Sequence, residues 1–202
     1  MKNSIVLIAF LGLLSCNMNP NNNEQEASGV SISDNTYNIE TSQSQIIWTG
    51  RELSTSSHYG SLNFVSGNFE VLNGLIVGGE FIVDMTSINN QDMEGGSKER
   101  LEGHLKSDDF FSVDTHPTAN LSINSSELIS EGKWNISADL SIKGYTHPVN
   151  FEMISSEQGW SANLVFDRSK YDVRFRSGSF FENLGYKLIY DDIELSINLT
   201  TL

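Results

Sequence analysis

Residues 75–86 read Leu75-Ile76-Val77-Gly78-Gly79-Glu80-Phe81-Ile82-Val83-Asp84-Met85-Thr86. Side chains on a β-strand alternate between its two faces with period two. Leu75, Val77, Gly79, Phe81, Val83 and Met85 are therefore expected on one face, with Glu80, Asp84 and Thr86 on the other. A strand this long, dry on one side and wet on the other, belongs to an antiparallel sheet that covers a core.

The same alternation returns along the chain. Ile136, Ala138, Leu140 and Ile142 alternate with Ser137, Asp139, Ser141 and Lys143, and Val149, Phe151 and Met153 alternate with Asn150, Glu152 and Ile154. Trp160, Ala162, Leu164 and Phe166 continue the series, and Ile193, Leu195, Ile197 and Leu199 end it. Turn residues separate the runs at Ser66-Gly67-Asn68, Asn73-Gly74, Glu131-Gly132-Lys133, Lys143-Gly144 and Gln158-Gly159, at the spacing of hairpins. With further strands near 46–53, 60–65, 68–73, 118–125 and 171–176, a meander of eight to ten strands is expected. A closed barrel and a two-sheet sandwich both explain the alternation. The length of 75–86 and 133–143 favours a barrel, and a single cysteine removes the disulfide that marks immunoglobulin-type sandwiches.

Alternation stops over 87–116. Ser97 is placed to cap a short helix running to Lys106, with Leu101 and Leu105 four apart on its buried side and Gly95-Gly96 as a flexible entry. A helix inserted into a meander is expected to cover an open end or edge of the sheet.

The N-terminus speaks about compartment. Lys2 precedes an apolar run from Ile5 to Leu14 that is too short to cross a bilayer as a helix and has the form of a secretory signal. The run ends in Leu13-Leu14-Ser15-Cys16, which resembles the lipobox of bacterial lipoproteins, so Cys16 is expected to carry an acyl anchor after cleavage. It is the only cysteine in the chain, which excludes an intramolecular disulfide, a CxxC pair and a cysteine-based zinc site. The expected organisation is a signal at 1–15, a lipidated cysteine and polar tether at 16–36, and one domain at 37–202. The formal charge of −14, more negative once Lys2 is removed, argues against nucleic acid and against electrostatic docking on anionic lipid, so attachment is expected to come from the acyl chains.

Candidate chemistry is sparse. His58, His104, His116 and His147 have no zincin-type spacing, and no metal site is expected. Asp108 and Asp109 are neighbours and point apart, unlike a glycosidase pair, and suit turn or cap acceptors. No Gly-x-Ser-x-Gly elbow supports a serine nucleophile. Five of the twelve basic residues lie between 168 and 187: Arg168, Lys170, Arg174, Arg176 and Lys187. With 171–176 as a strand, Tyr171, Val173 and Phe175 face inward while Arg174 and Arg176 face outward. The basic group is then either a solvated face paired with Asp167, Asp172 and Glu182, or a site for an anionic head group formed by Arg168, Lys170, Arg174 and Arg176. Small residues on inward registers, Gly79, Ala138 and Ala162, would leave room beside large ones.

Three blocks point to a family. His104-Leu105-Lys106-Ser107-Asp108-Asp109-Phe110-Phe111-Ser112-Val113 is followed by His116-Pro117-Thr118-Ala119. Ala138-Asp139-Leu140-Ser141-Ile142-Lys143-Gly144-Tyr145-Thr146-His147-Pro148-Val149 comes next, and Phe166-Asp167-Arg168-Ser169-Lys170-Tyr171 third. Their order resembles the YceI-like family of lipid- or polyisoprenoid-binding proteins of the bacterial envelope. The sequence departs from the family pattern at Asp172, where many members have glycine, and at Thr115-His116, where an aromatic is usual. The resemblance implies an all-β fold with a short helix, an extended antiparallel lipocalin-like barrel of about eight strands with a long apolar cavity. It transfers no catalytic residue.

The sequence is accordingly expected to encode a membrane-anchored envelope lipoprotein, not an enzyme, that takes a long-chain lipid, isoprenoid or quinone-like ligand into the barrel without a cofactor. Cavity candidates are Trp48, Phe64, Leu75, Val77, Phe81, Val83, Leu140, Phe151, Phe166, Tyr171 and Phe175. The other reading is a solid-cored surface module without ligand. The sequence leaves the oligomeric state open, a dimer included.

Overall fold

The computed structural model describes residues 32–54 and 56–202. The signal segment, Cys16 and most of the tether lie outside the described residues. Among the described residues nine strands and one α-helix follow in the order β1 (Asn35–Asn38), β2 (Gln45–Arg51), β3 (Ser57–Leu72), β4 (Leu75–Asn90), α1 (Gly95–Lys106), β5 (Thr118–Ser130), β6 (Lys133–Ile142), β7 (Tyr145–Ser156), β8 (Gly159–Asp167) and β9 (Asp192–Leu199).

All pairings between these strands are antiparallel. From β2 each strand pairs with the next in sequence, and β9 returns to β2, with Trp48 opposite Leu195. Eight strands thus close a barrel, which removes the free edges an open sheet would expose. β1 lies on the same side of β3 as β2 but further along, with Asn35 opposite Val71 and Asn38 opposite Asn68. β1 and β2 are one barrel strand interrupted at residues 39–44, where Ile39 bridges to Thr201.

Hairpin chemistry sets the connections where the sequence has it. Asn73-Gly74 and Lys143-Gly144 each place two successive residues at positive φ, 53° and 76° in the first and 51° and 77° in the second, the left-handed pair of a type I′ turn. Ser66-Gly67-Asn68 does not turn. It lies inside the single sixteen-residue strand β3, where the register slips between Phe64 and Ser66 and throws Val65 outward as a bulge. The glycine is needed for closeness rather than for φ, because a Cβ at Gly67 would stand 2.5 Å from Phe81 and 2.8 Å from Ile39.

A second slip corrects the reading of β4. Gly78 pairs with Glu70 but Ile76 pairs with the next residue, Val71, leaving Val77 as the extra residue. One inserted residue moves every following side chain to the other face. Ile76 is therefore fully buried, and Leu75 and Val77 are exposed on the outside of the barrel. From Phe81 onward the expected phase holds, with Phe81 and Met85 buried.

The helix begins at Gly95, and its N-cap is Glu94, with no side-chain cap hydrogen bond. Ser97 is inside the first turn and caps nothing. The expected strand over 171–176 is absent: Arg168–Tyr171 forms a 3₁₀ turn, and Asp172 follows in the left-handed region at φ 58°.

The barrel interior has two parts. At the β3–β4 turn end it is filled by aromatic packing. Phe69 lies 4.6 Å from Trp160 edge to face and stacks on Tyr37 at 5.2 Å, with Trp134 5.5 Å from Trp160. The Trp134 indole donates to the Gly74 carbonyl at 2.9 Å and so satisfies its own polar atom as it closes that end. The other end is not filled.

Candidate ligand-binding cavity

The unfilled end holds a cavity of about 280 Å³, at the lower edge of the roughly 300–1,000 Å³ typical of small-molecule sites. Every wall is built from a strand end or from the segments that cross over it. β2 supplies Ile46 and Trp48, β3 and β4 supply Leu62, Val83, Met85 and Ile88, and β5 and β6 supply Ala119, Leu140 and Ile142. Phe166, Ile193 and Leu195 complete the circle from β8 and β9. The roof is the β4–β5 connection: Leu101 and Leu105 of α1, with Phe110 and Phe111 after it, turn toward the cavity. The helix therefore covers an end of the barrel, as its position in the meander suggests, and its leucine pair is the inward side.

Trp48 sets the shape of one wall. Its ring lies against β3 at Gly60, where a Cβ would come within 2.6 Å of Trp48 Cζ2, so glycine lets the indole lie flat on the sheet. The indole nitrogen is buried and finds no acceptor among the described residues.

Polar groups gather where the cavity opens: Arg51, Glu52, His58, His104 and Arg176. Most are engaged. Arg51 donates to Glu194 at 2.9 Å, and His58 Nδ1 stands 2.7 Å from Asp92, while Arg176 Nη1 is 3.9 Å from Glu52. Burial would raise the Asp92 carboxyl, but hydrogen bonds from His58, the Tyr59 amide and Asn90 outweigh it and hold the group below its usual range. His104 packs edge to face on Phe110 and Phe175 at 5.1 and 4.4 Å.

The expected site residues separate by location. Trp48, Val83, Leu140, Phe166 and Phe175 line the cavity. Phe64, Phe81, Phe151 and Tyr171 are buried elsewhere in the molecule, and Leu75 and Val77 face outward. The room does not come from Gly79 or Ala138. A Cβ at Gly79 would meet the Asn68 carbonyl at 2.6 Å, and Ala138 is fully buried away from the cavity. The small residues that leave space are Ala119 and Gly50.

The basic group also separates. Arg168 is fully buried, where it donates to the carbonyls of Tyr190, Val173 and Ile189, each at 3.2 Å, and lies 3.3 Å from Asp191. Desolvation lowers its pKa, against the pull of Asp191 and Asp167. It is an internal strut and cannot belong to an exposed rim. Lys170 is exposed, and its carbonyl meets His147 Nε2 at 2.9 Å. Arg174 pairs with Asp172 and lies over Phe180, which leaves Arg176 as the one member on the cavity. His58 and His104 both reach the cavity, but no cluster that could hold a metal occurs among the described residues.

A model of the YceI-like domain matches residues 37–201. The chain belongs to the YceI-like family. Solved structures agree on the YceI-like fold. BcnA of Burkholderia cenocepacia superposes with a TM-score of 0.65 at 15% identity, over 80% of this chain and 98% of that one. A polyisoprenoid binding domain from Saccharophagus degradans, implicated in plant cell wall breakdown, gives 0.57 at 14% identity, over 81% and 95%. At such identities the likeness establishes the fold. No curated protein matches the chain.

Proposed function

We propose that this YceI-like protein is a binder that holds an apolar chain in the open end of its barrel. One observation carries the reading: a barrel that could have been filled throughout is filled at one end only, and the unfilled end is apolar inside and polar at its opening. Burial in such a site stabilises a ligand by about 0.8 kcal/mol per methylene. The polyisoprenoid binding domain of Saccharophagus degradans supports an isoprenoid or comparable long chain. Most polar side chains at the mouth are engaged in ion pairs, Arg51 with Glu194, His58 with Asp92 and Arg176 with Glu52, an arrangement that favours holding over catalysis. The head-group role falls to Arg176, beside Glu52 and His104, in place of the four-residue rim.

The reading extends to location. We place the protein in the bacterial envelope, tethered through acylated Cys16. Cys16→Ala is expected to abolish acyl labelling and to lower the membrane-bound share; unchanged labelling and fractionation would contradict the anchor. For the cavity itself the test is organic extraction and mass spectrometry of the purified full-length protein. A long-chain lipid or isoprenoid present near one per chain is expected, and its absence favours a solid-cored surface module.

A further inference from the structure

The segment that walls the cavity between Phe175 and Ile189 has a second, outward side. Among the described residues six aromatic side chains are exposed, Tyr59, Tyr145, Phe180, Phe181, Tyr186 and Tyr190, and four of the six lie within residues 180–190. Phe181 is 50% exposed and Tyr186 83%. Over residues 178–190 the charged side chains are Glu182 and Lys187, and Arg174 and Arg176 just before them are paired with Asp172 and Glu52, so the stretch carries no net charge in a chain whose formal charge is −14. Among the described residues the stretch is where exposed aromatic surface gathers, free of the net negative charge of the chain.

Its base is fixed. Ser177 is fully buried and donates to Asp191 at 2.9 Å, Ser179 donates to the same oxygen at 2.7 Å, and Arg168 binds the carbonyls of Ile189 and Tyr190 from beneath. Phe175, Arg176 and Ile189 face the cavity. The aromatic tips thus stand out from a pinned frame that is continuous with the cavity wall.

We infer that residues 178–190 form a lip that docks on a lipid bilayer, so that an apolar chain passes between bilayer and cavity without crossing water. This rests on the proposed binding of such a chain. Exposed apolar surface of this kind marks an interaction site, the polar-tipped rings of Tyr186 and Tyr190 beside Phe180 and Phe181 suit the membrane interface, and Lys187 among them can meet an anionic head group. A water crossing would cost free energy for every methylene exposed, and contact at the lip removes that barrier. The aliphatic patch at the other end, with Leu72, Leu75 and Leu128, has no connection to the cavity and serves as the control.

The test uses the full-length protein in phosphatidylethanolamine vesicles containing one quarter phosphatidylglycerol. An environment-sensitive dye is placed on Tyr186→Cys or on Leu128→Cys, with the unsubstituted chain carried through the same labelling to give the background. Nitroxide-bearing lipid is expected to quench the dye at 186 and not at 128. Quenching at 128 instead, or at neither position, overturns the lip, as does shielding of 186 by a second copy of the chain without vesicles. Transfer of parinaric acid from protein to vesicle is expected to slow at least about tenfold in Phe181→Ser with Tyr186→Ser, at unchanged equilibrium binding; unchanged transfer also overturns it. Failure of the unsubstituted chain to bind parinaric acid would count against the cavity reading alone, because the quenching arm decides docking without any cavity ligand.

Discussion

Arg168 shows how far a residue's role can depart from its charge. Five basic residues between 168 and 187 invite a surface site, yet Arg168 is the one that goes inside. Its partners are main-chain carbonyls of Val173, Ile189 and Tyr190, which have no signature in sequence, so its burial was not legible there. Arg168→Met is expected to lower stability by about 3–5 kcal/mol in urea unfolding, because it leaves three main-chain carbonyls without their donors and the half-buried Asp191 without its cation. Tyr171 gives a second test. It packs edge to face on Phe166 and His147, and burial, aided by Asp167, pushes its phenol from 10.0 up to about 12. A raised folded pKa means that the contribution is fully present below the unfolded value and is lost as pH rises through the folded one. Stability should therefore fall between pH about 10 and about 12, and Tyr171→Phe should flatten that fall when denaturation midpoints are compared across the window. Asp172 was legible as a departure from the family's glycine, and its φ of 58° explains why: aspartate is among the few residues other than glycine that enter the left-handed region.

At the scale of the element, alternation located the strands but not their phase. β6, β8 and β9 follow the expected faces, whereas β3 and β4 slip at bulges, and one extra residue put Ile76 inside in place of Leu75 and Val77. A bulge has no fixed composition, so period-two reading carries past it unaware. Residues 171–176 alternate in polarity as a strand would, but tertiary hydrogen bonds from Arg168 hold them in a loop. The helix was legible through Leu101 and Leu105. The cavity's small residues were not, since Ala119, Ala138 and Ala162 look alike until strand ends are assigned to the open or the filled part. That difference is measurable. Ala119→Phe is expected to abolish parinaric acid binding while leaving the thermal midpoint within a few degrees, because the added ring enters empty volume. Ala138→Leu is expected to cost about 1–3 kcal/mol by overpacking and to spare binding. Equal effects from both would mean that the two parts of the interior do not differ.

The whole molecule is a closed barrel with unlike ends. The N-terminal strand enters beside Val71 at the filled end, and the cavity opens at the other, between α1 and the segment around Phe175 and Arg176. The polar segment between Cys16 and Ile32 reaches about 50 Å if extended at roughly 3.3 Å per residue, so the proposed anchor at Cys16 would let either end of the barrel meet a membrane. Closure of the sheet was legible only as a preference, because alternation serves a sandwich equally well; the pairing of β2 with β9 decides it. The most direct measurement of the central claim is a high-resolution crystal structure of the full-length protein purified from its native cells. Continuous elongated density is predicted inside the barrel, running past Trp48 and Leu140 beneath Leu101 and Leu105. A cavity holding only ordered water, or closed by α1 settling onto Met85 and Ile142, would contradict it.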